Sequence, residues 1–179
     1  MASNLSSRYE PSPRLWHCAS QVGGKSHVWT GRTQDILEDK EDDVLSSTVN
    51  VFDPYLETWQ EQRTSGVPPR GLENGACTAC ANSFYLFAGD DGSEYMNSLH
   101  VLDTDLLVWR DVSNSDSSPM PKGGCGMVFF GNHYLATIGG YGLPTQPIQP
   151  GSSFIKDPYY RDGSGWTDEF HVFDVTEGR

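Results

Sequence analysis

The residues able to do chemistry are few and scattered. Cys77 and Cys80 form a C-x-x-C, the one cysteine pair spaced like half of a zinc or redox site. No second pair follows at zinc-finger distance, and Ala76, Thr78, Ala79 and Ala81 around it suit a packed strand. Residues three apart in a strand face opposite sides, so these thiols are expected to be buried structurally rather than to share a metal. His17, His27, His100, His133 and His171 stand singly. Asp90-Asp91 and the acidic residues from Asp39 to Asp43 could touch calcium, but neither sits in a twelve-residue calcium loop. Gly139-Gly140-Tyr141-Gly142 is glycine-rich, yet no Lys-Ser pair or helix start follows it, so it is not a phosphate loop. No catalytic group, metal or cofactor is expected, and the chain is read as a non-enzyme. Binding remains, and binding needs loops held on a rigid frame.

Composition narrows the partners. Among 179 residues, 12 Lys and Arg face 24 Asp and Glu, a net charge of −12. Such a surface disfavours nucleic acid and anionic membranes and suits neutral or basic proteins and peptides. No apolar run approaches a membrane span, and Met1 to Glu10 lacks the apolar core of a signal peptide. A cytoplasmic or nuclear protein is expected.

The frame is written as a repeat. Residues 1–12, rich in Ser and Pro, are expected to form a disordered tail. A first unit, about 13–62, offers strands at Cys18 to Val22, His27 to Thr30 and Val49 to Asp53, with a fourth starting at Glu57-Thr58-Trp59. Its acidic segment, Asp35 to Asp43, reads as an exposed loop. A second unit, about 69–112, repeats the order at Cys77 to Ala81, Phe84 to Ala88, Leu99 to Asp103 and Leu107 to Trp109. A third, 121–179, runs through Cys125 to Phe130, Tyr134 to Ile138, a long loop from Tyr141 to Thr167, and Phe170 to Val175. It stops before any tryptophan matching Trp59 and Trp109. Asp53 to Asp103 and Trp59 to Trp109 are each separated by 50 residues. Gly31, Gly89, Gly139 and Gly140 close the second strands, where positive φ and close backbone approach favour glycine. Trp59 and Trp109 are expected to be buried equivalents that pin the fourth strands.

Four short strands in about 50 residues is the kelch propeller pattern. The chain resembles the kelch-repeat family over residues 13–179. Gly139-Gly140-Tyr141-Gly142-Leu143-Pro144, the long loop, Gly165-Trp166-Thr167-Asp168 and His171-Val172-Phe173-Asp174 resemble the third blade of the kelch domain-containing protein 2 subfamily. The fold expected is an all-β, kelch-type β-propeller of three blades, the third incomplete. It would form the N-terminal half of a six-bladed propeller or complete itself by association.

The resemblance implies a substrate receptor, or a truncated remnant of one, for a cullin-2 ubiquitin ligase, holding C-terminal degrons that end in glycine. It places Tyr141 and Trp166 where the subfamily uses a pocket tyrosine and tryptophan. Each also suits a purely structural role, Tyr141 packing on its own loop and Trp166 anchoring it. Arg32 stands where the subfamily's first blade has a pocket tyrosine, and Lys122 stands near its pocket lysine. The rest of the carboxylate clamp belongs to later blades, and no counterpart of the elongin-binding segment is read here. The alternatives are a non-ligase kelch scaffold using the acidic loop, and a kelch-type oxidase, although no Tyr, His and Cys grouping suggests a copper site.

Overall fold

The computed structural model describes residues 8–33, 47–70, 73–113, 118–145 and 147–176. The acidic 35–43 segment and residues 1–7 of the tail lie outside the described residues. The first unit holds β1 (Arg14–Leu15), β2 (Cys18–Val22), β3 (Lys25–Trp29), β4 (Arg32–Thr33), β5 (Thr48–Asp53) and β6 (Thr58–Arg63). The second holds β7 (Ser65–Gly66), β8 (Ala76–Cys80), β9 (Ser83–Asp90), β10 (Tyr95–Asp103) and β11 (Val108–Asp111). The third holds β12 (Lys122–Gly123), β13 (Gly126–Phe130), β14 (Tyr134–Ile138), β15 (Tyr141–Gly142), β16 (Phe154–Lys156), β17 (Gly165–Thr167) and β18 (Phe170–Asp174). Among the described residues there is no helix.

Three main sheets result, in the orders β2-β3-β5-β6, β7-β11-β10-β9-β8 and β13-β14-β18. They stack, with β8 of the second sheet packed between β2 of the first and β13 of the third. Alternation in the sequence decides what lies between them. Cys18, Val22, Trp29, Val49 and Val51 of the first sheet meet Phe84, Leu86, Leu102 and Trp109 of the second. Phe87, Ala88 and Leu99 from the second sheet meet Leu135 and Phe173 of the third. The first and second units thus each insert a large side chain from their second strand into the next sheet. Trp29 stacks on Trp109 at 5.2 Å between ring centroids, and Phe87 on Phe173 at 5.6 Å.

The repeated aspartates have a local cause. Asp53 Oδ1 accepts the N–H groups of Tyr55 and Leu56, and Asp103 Oδ1 accepts those of Asp105 and Leu106. An aspartate that ties down the next two or three amides forms a tight turn, which returns the third strand into the fourth. Glycine after the second strand is equally local. Gly31, Gly89 and Gly140 have φ of 92°, 115° and 118°. A Cβ on Gly31 would lie 2.7 Å from the Leu15 carbonyl oxygen, where no side chain fits.

Two expectations need correction. Trp59 and Trp109 are equivalent in register, opposite Phe52 and Leu102. They are not equivalent in burial: Trp109 is fully buried, whereas Trp59 is half-buried against Phe52 at 5.0 Å. The reason is position, because Trp109 faces the first sheet and Trp59 faces outward from it. The third-unit loop is also not irregular. β15, β16 and β17 join β12 in a four-stranded ribbon ordered β12-β15-β17-β16. Residues 8–12 carry no strand, yet Tyr9 donates its hydroxyl to Asn50 on the outer face of the first sheet.

Candidate functional site

At one end of the stack, every unit continues past its glycine into a short extra pairing. Leu15 pairs with Arg32, Glu73 bridges to Asp90, and Gly123 pairs with Tyr141. Arg32, Asp90 and Tyr141 are therefore the same position in three units. In the second and third units this residue pairs with an aromatic on its other side, Asp90 with Tyr95 and Tyr141 with Trp166. Tyr95 is the residue that sequence reading missed, since the stretch from Asp90 to Asn97 looked like a polar loop. Aligning it with Trp166 would have found it.

These positions assemble one aromatic cluster centred on Tyr141. Its ring lies 5.3 Å from Trp166, 6.0 Å from Tyr95 and 6.4 Å from Tyr160, all edge-on. Edge-to-face rings at such distances hold one another rigidly while leaving faces free. Trp166 stays 48% exposed and Tyr160 60% exposed. The Tyr141 hydroxyl donates to the buried Asp157 at 3.3 Å, which fixes the ring. So Tyr141 and Trp166 come together, and two tyrosines join them.

Lys122 does not join them. It is fully buried, with its Nζ 3.2 Å from Glu169 Oε2. Glu169 also accepts the N–H groups of Met120 and Gln149, at 3.2 and 3.0 Å. The pair ties β12 to the segment before β18 and leaves no ammonium for a ligand. Arg32 belongs to the β1–β4 ribbon of the first unit, through its backbone pairing with Leu15.

Beside the cluster lies a cavity of about 580 Å³, between the β9–β10 turn and the third-unit loop. Apolar Met96, Pro121 and Leu143, the Tyr95 ring and the acidic Asp90, Glu94 and Asp162 line it. The β9–β10 turn is well fixed: Asp91 Oδ1 accepts the N–H groups of Ser93 and Glu94 and the Ser93 hydroxyl. Burial works against ionising Asp91, but these bonds, with Arg70 at 3.2 Å, outweigh it and bring its carboxyl down to about 2. Burial first, and then the charges of Asp90 and Asp162, push the Tyr95 hydroxyl up to about 12.

Comparison with known proteins bears directly on this arrangement. The family model for the KLHDC2/KLHL20/DRC7 Kelch-repeats domain matches residues 3–178. The chain belongs to the kelch-repeat family. Among curated kelch relatives, the chicken (Gallus gallus) Rab9 effector protein with kelch motifs is 33% identical, over 68% of this chain and 31% of its own length. Bovine (Bos taurus) Kelch domain-containing protein 2 is 25% identical, over 56% of this chain and 25% of its own. Acyl-CoA-binding domain-containing protein 5 of Arabidopsis thaliana is 29% identical, over 71% of this chain and 19% of its own. The solved structure described as that of YjhT superposes with a TM-score of 0.59 at 19% identity, over 76% of this chain and 46% of that one. The chain thus spans less than a third of these curated relatives and about half of that solved kelch fold. The stacked sheets form a kelch-repeat domain, and the aromatic cluster is built from the end pairings of its second and third units.

Proposed function

We propose that this chain is a peptide-binding kelch module, not an enzyme, whose binding face is the end of the second and third blades. The carrying observation is the cluster of Tyr95, Tyr141, Tyr160 and Trp166 beside a cavity of about 580 Å³. Exposed, mutually braced aromatics next to a concavity in the size range of ligand pockets suit a peptide backbone and one or two side chains. The finer form of this proposal is a substrate receptor, or part of one, for a cullin-2 ubiquitin ligase that takes C-terminal degrons. It draws support from the relationship to the KLHDC2-type domain and from Tyr141 and Trp166 meeting. The Lys122 placement weighs on it: a terminal carboxylate needs donors, and Glu169 already engages the ammonium. Any clamp must come from residues other than Lys122.

Selection from a random peptide library, followed by titration of a fluorescent hit, tests the general reading. Tyr141→Ala and Trp166→Ala should each weaken the hit about tenfold or more, the scale of one anchoring aromatic. For the finer form, a diglycine-ended peptide should bind the 179-residue chain no better than high micromolar, about −5 to −6 kcal/mol. Tight binding would show a clamp among these three blades. Co-precipitation of elongin and cullin-2 subunits by the 179-residue chain tests the ligase link, and a clean negative would remove it.

A further inference from the structure

The cavity beside the aromatic cluster has a lining that specifies its occupant. Three acidic residues, Asp90, Glu94 and Asp162, line it, and the lining contains no Lys, Arg or His. Met96, Pro121 and Leu143 add apolar surface. A lining that joins apolar surface to carboxylates matches a side chain with a long aliphatic stem and a cationic head. The Tyr95 ring supplies a wall on which such a cation gains from the ring quadrupole. The nearby counter-charges leave the site anionic. Lys122 is sealed against Glu169, and Arg70 approaches only from outside, 3.2 Å from Asp91 and 3.6 Å from Glu94. Lys156 adds a weaker field at Asp162, whose carboxylate is kept ionised first by the Ser164 hydroxyl and amide. Asp90 uses one oxygen on the Gly92 amide.

We propose that this cavity takes an arginine or lysine side chain of a bound peptide, its stem on Met96 and Leu143 and its charge between Asp90, Glu94 and Asp162. This inference rests on the peptide-binding reading and names what that peptide must carry. A C-terminal carboxylate is the wrong charge for this cavity, so a glycine-ended tail would have to sit elsewhere on the face. Pockets of this volume accommodate one such side chain together with backbone from its neighbours.

The test uses the full chain and a fluorescein-labelled Gly/Ser peptide with one central variable residue. Arginine and lysine versions should bind at least about tenfold more tightly than the norleucine version, which keeps the stem and loses the charge. Raised salt should narrow that difference, because these carboxylates are solvent-accessible. Glu94→Gln and Asp162→Asn should each lower affinity for the arginine peptide several-fold while leaving norleucine unchanged. Arg70→Gln should raise it, because it frees Glu94 from a competing cation. That opposite sign is something mere loop damage would not produce. Norleucine binding as tightly as arginine, or indifference to all three substitutions, overturns the inference. If neutral peptides bind through Tyr141 and Trp166 while arginine adds nothing, this inference fails and the peptide-binding reading stands. If no peptide from a random library binds, both fail.

Discussion

Lys122 carries its charge into a space that excludes water, and Glu169 makes that tolerable. The two are 0% and 1% exposed and 3.2 Å apart. Removing one partner leaves the other charged, buried and unpaired, which costs about 3–5 kcal/mol. Lys122→Met and Glu169→Gln should each lower the urea midpoint sharply. The double replacement should recover part of the loss, because no buried charge is then left unpaired, although glutamine keeps an acceptor for only one of the Met120 and Gln149 amides. A double variant no better than the worse single would deny the pairing. From sequence, Lys122 looked like a ligand group because its partner lies 47 residues away and nothing local points to it. Three imidazoles add a pH prediction. Burial pushes the pKa of His27, His100 and His171 down from 6.5. Below that value the unfolded chain binds protons that these folded sites refuse, so unfolding gains protons as pH falls. Stability should be full above about pH 6.5 and decline on mild acidification, before carboxylates such as Asp91 begin to titrate. A melting temperature that stays flat from neutral to mildly acid pH would contradict this. His100→Gln should reduce the slope.

The elements were legible wherever one local rule decided them. Alternating apolar residues placed the main strands to within a few residues, and the 50-residue spacing of Asp53 and Asp103 marked a turn that each aspartate builds by itself. What escaped was short-range pairing driven by tertiary position. β15, β16 and β17 are two or three residues each, too short to show a period, and they form because β12 offers them an edge. The N-terminal half of β10, with Tyr95, was hidden in the same way. The tryptophans show the limit of equivalence by repeat. Trp109 lies against Trp29 and Phe84 within the core, so Trp109→Ala should cost about 3–5 kcal/mol. Trp59 has Phe52 on one side and an open face on the other, so Trp59→Ala should cost less, about 1–2 kcal/mol. Equal losses in denaturant unfolding would mean that the outer face of the first blade is covered in solution.

The whole molecule has two unlike outer faces, and that asymmetry leads to the last prediction. The first sheet's outer face mixes Gln21, Ser26, Asn50 and Glu61 with Val28, Phe52 and Trp59, and Tyr9 bonds to Asn50 across it. The third blade's outer face is apolar: Val128, Phe130, Tyr134, Ile138, Phe170 and Val172 are all exposed and share one side of the sheet. Ile138 holds the position that Trp29 and Phe87 hold in the earlier units, where each enters the next blade. Here it is 56% exposed, an insertion with nothing to enter. A contiguous apolar face of this kind rarely stays wet on a soluble chain. The chain in isolation should therefore self-associate. Its net charge of −12 opposes this, so association should strengthen with salt, which screens the charge and leaves the apolar drive intact. Sedimentation velocity over a range of concentrations, at low and raised salt, reads both effects. Val172→Lys should suppress association without unfolding the chain, since its side chain points away from the core, whereas Glu61→Gln on the opposite face should not. A monomer at every concentration and salt, or suppression by Glu61→Gln alone, would place the sticky surface elsewhere. Association that follows Val172 would identify this apolar face as the surface through which the chain associates.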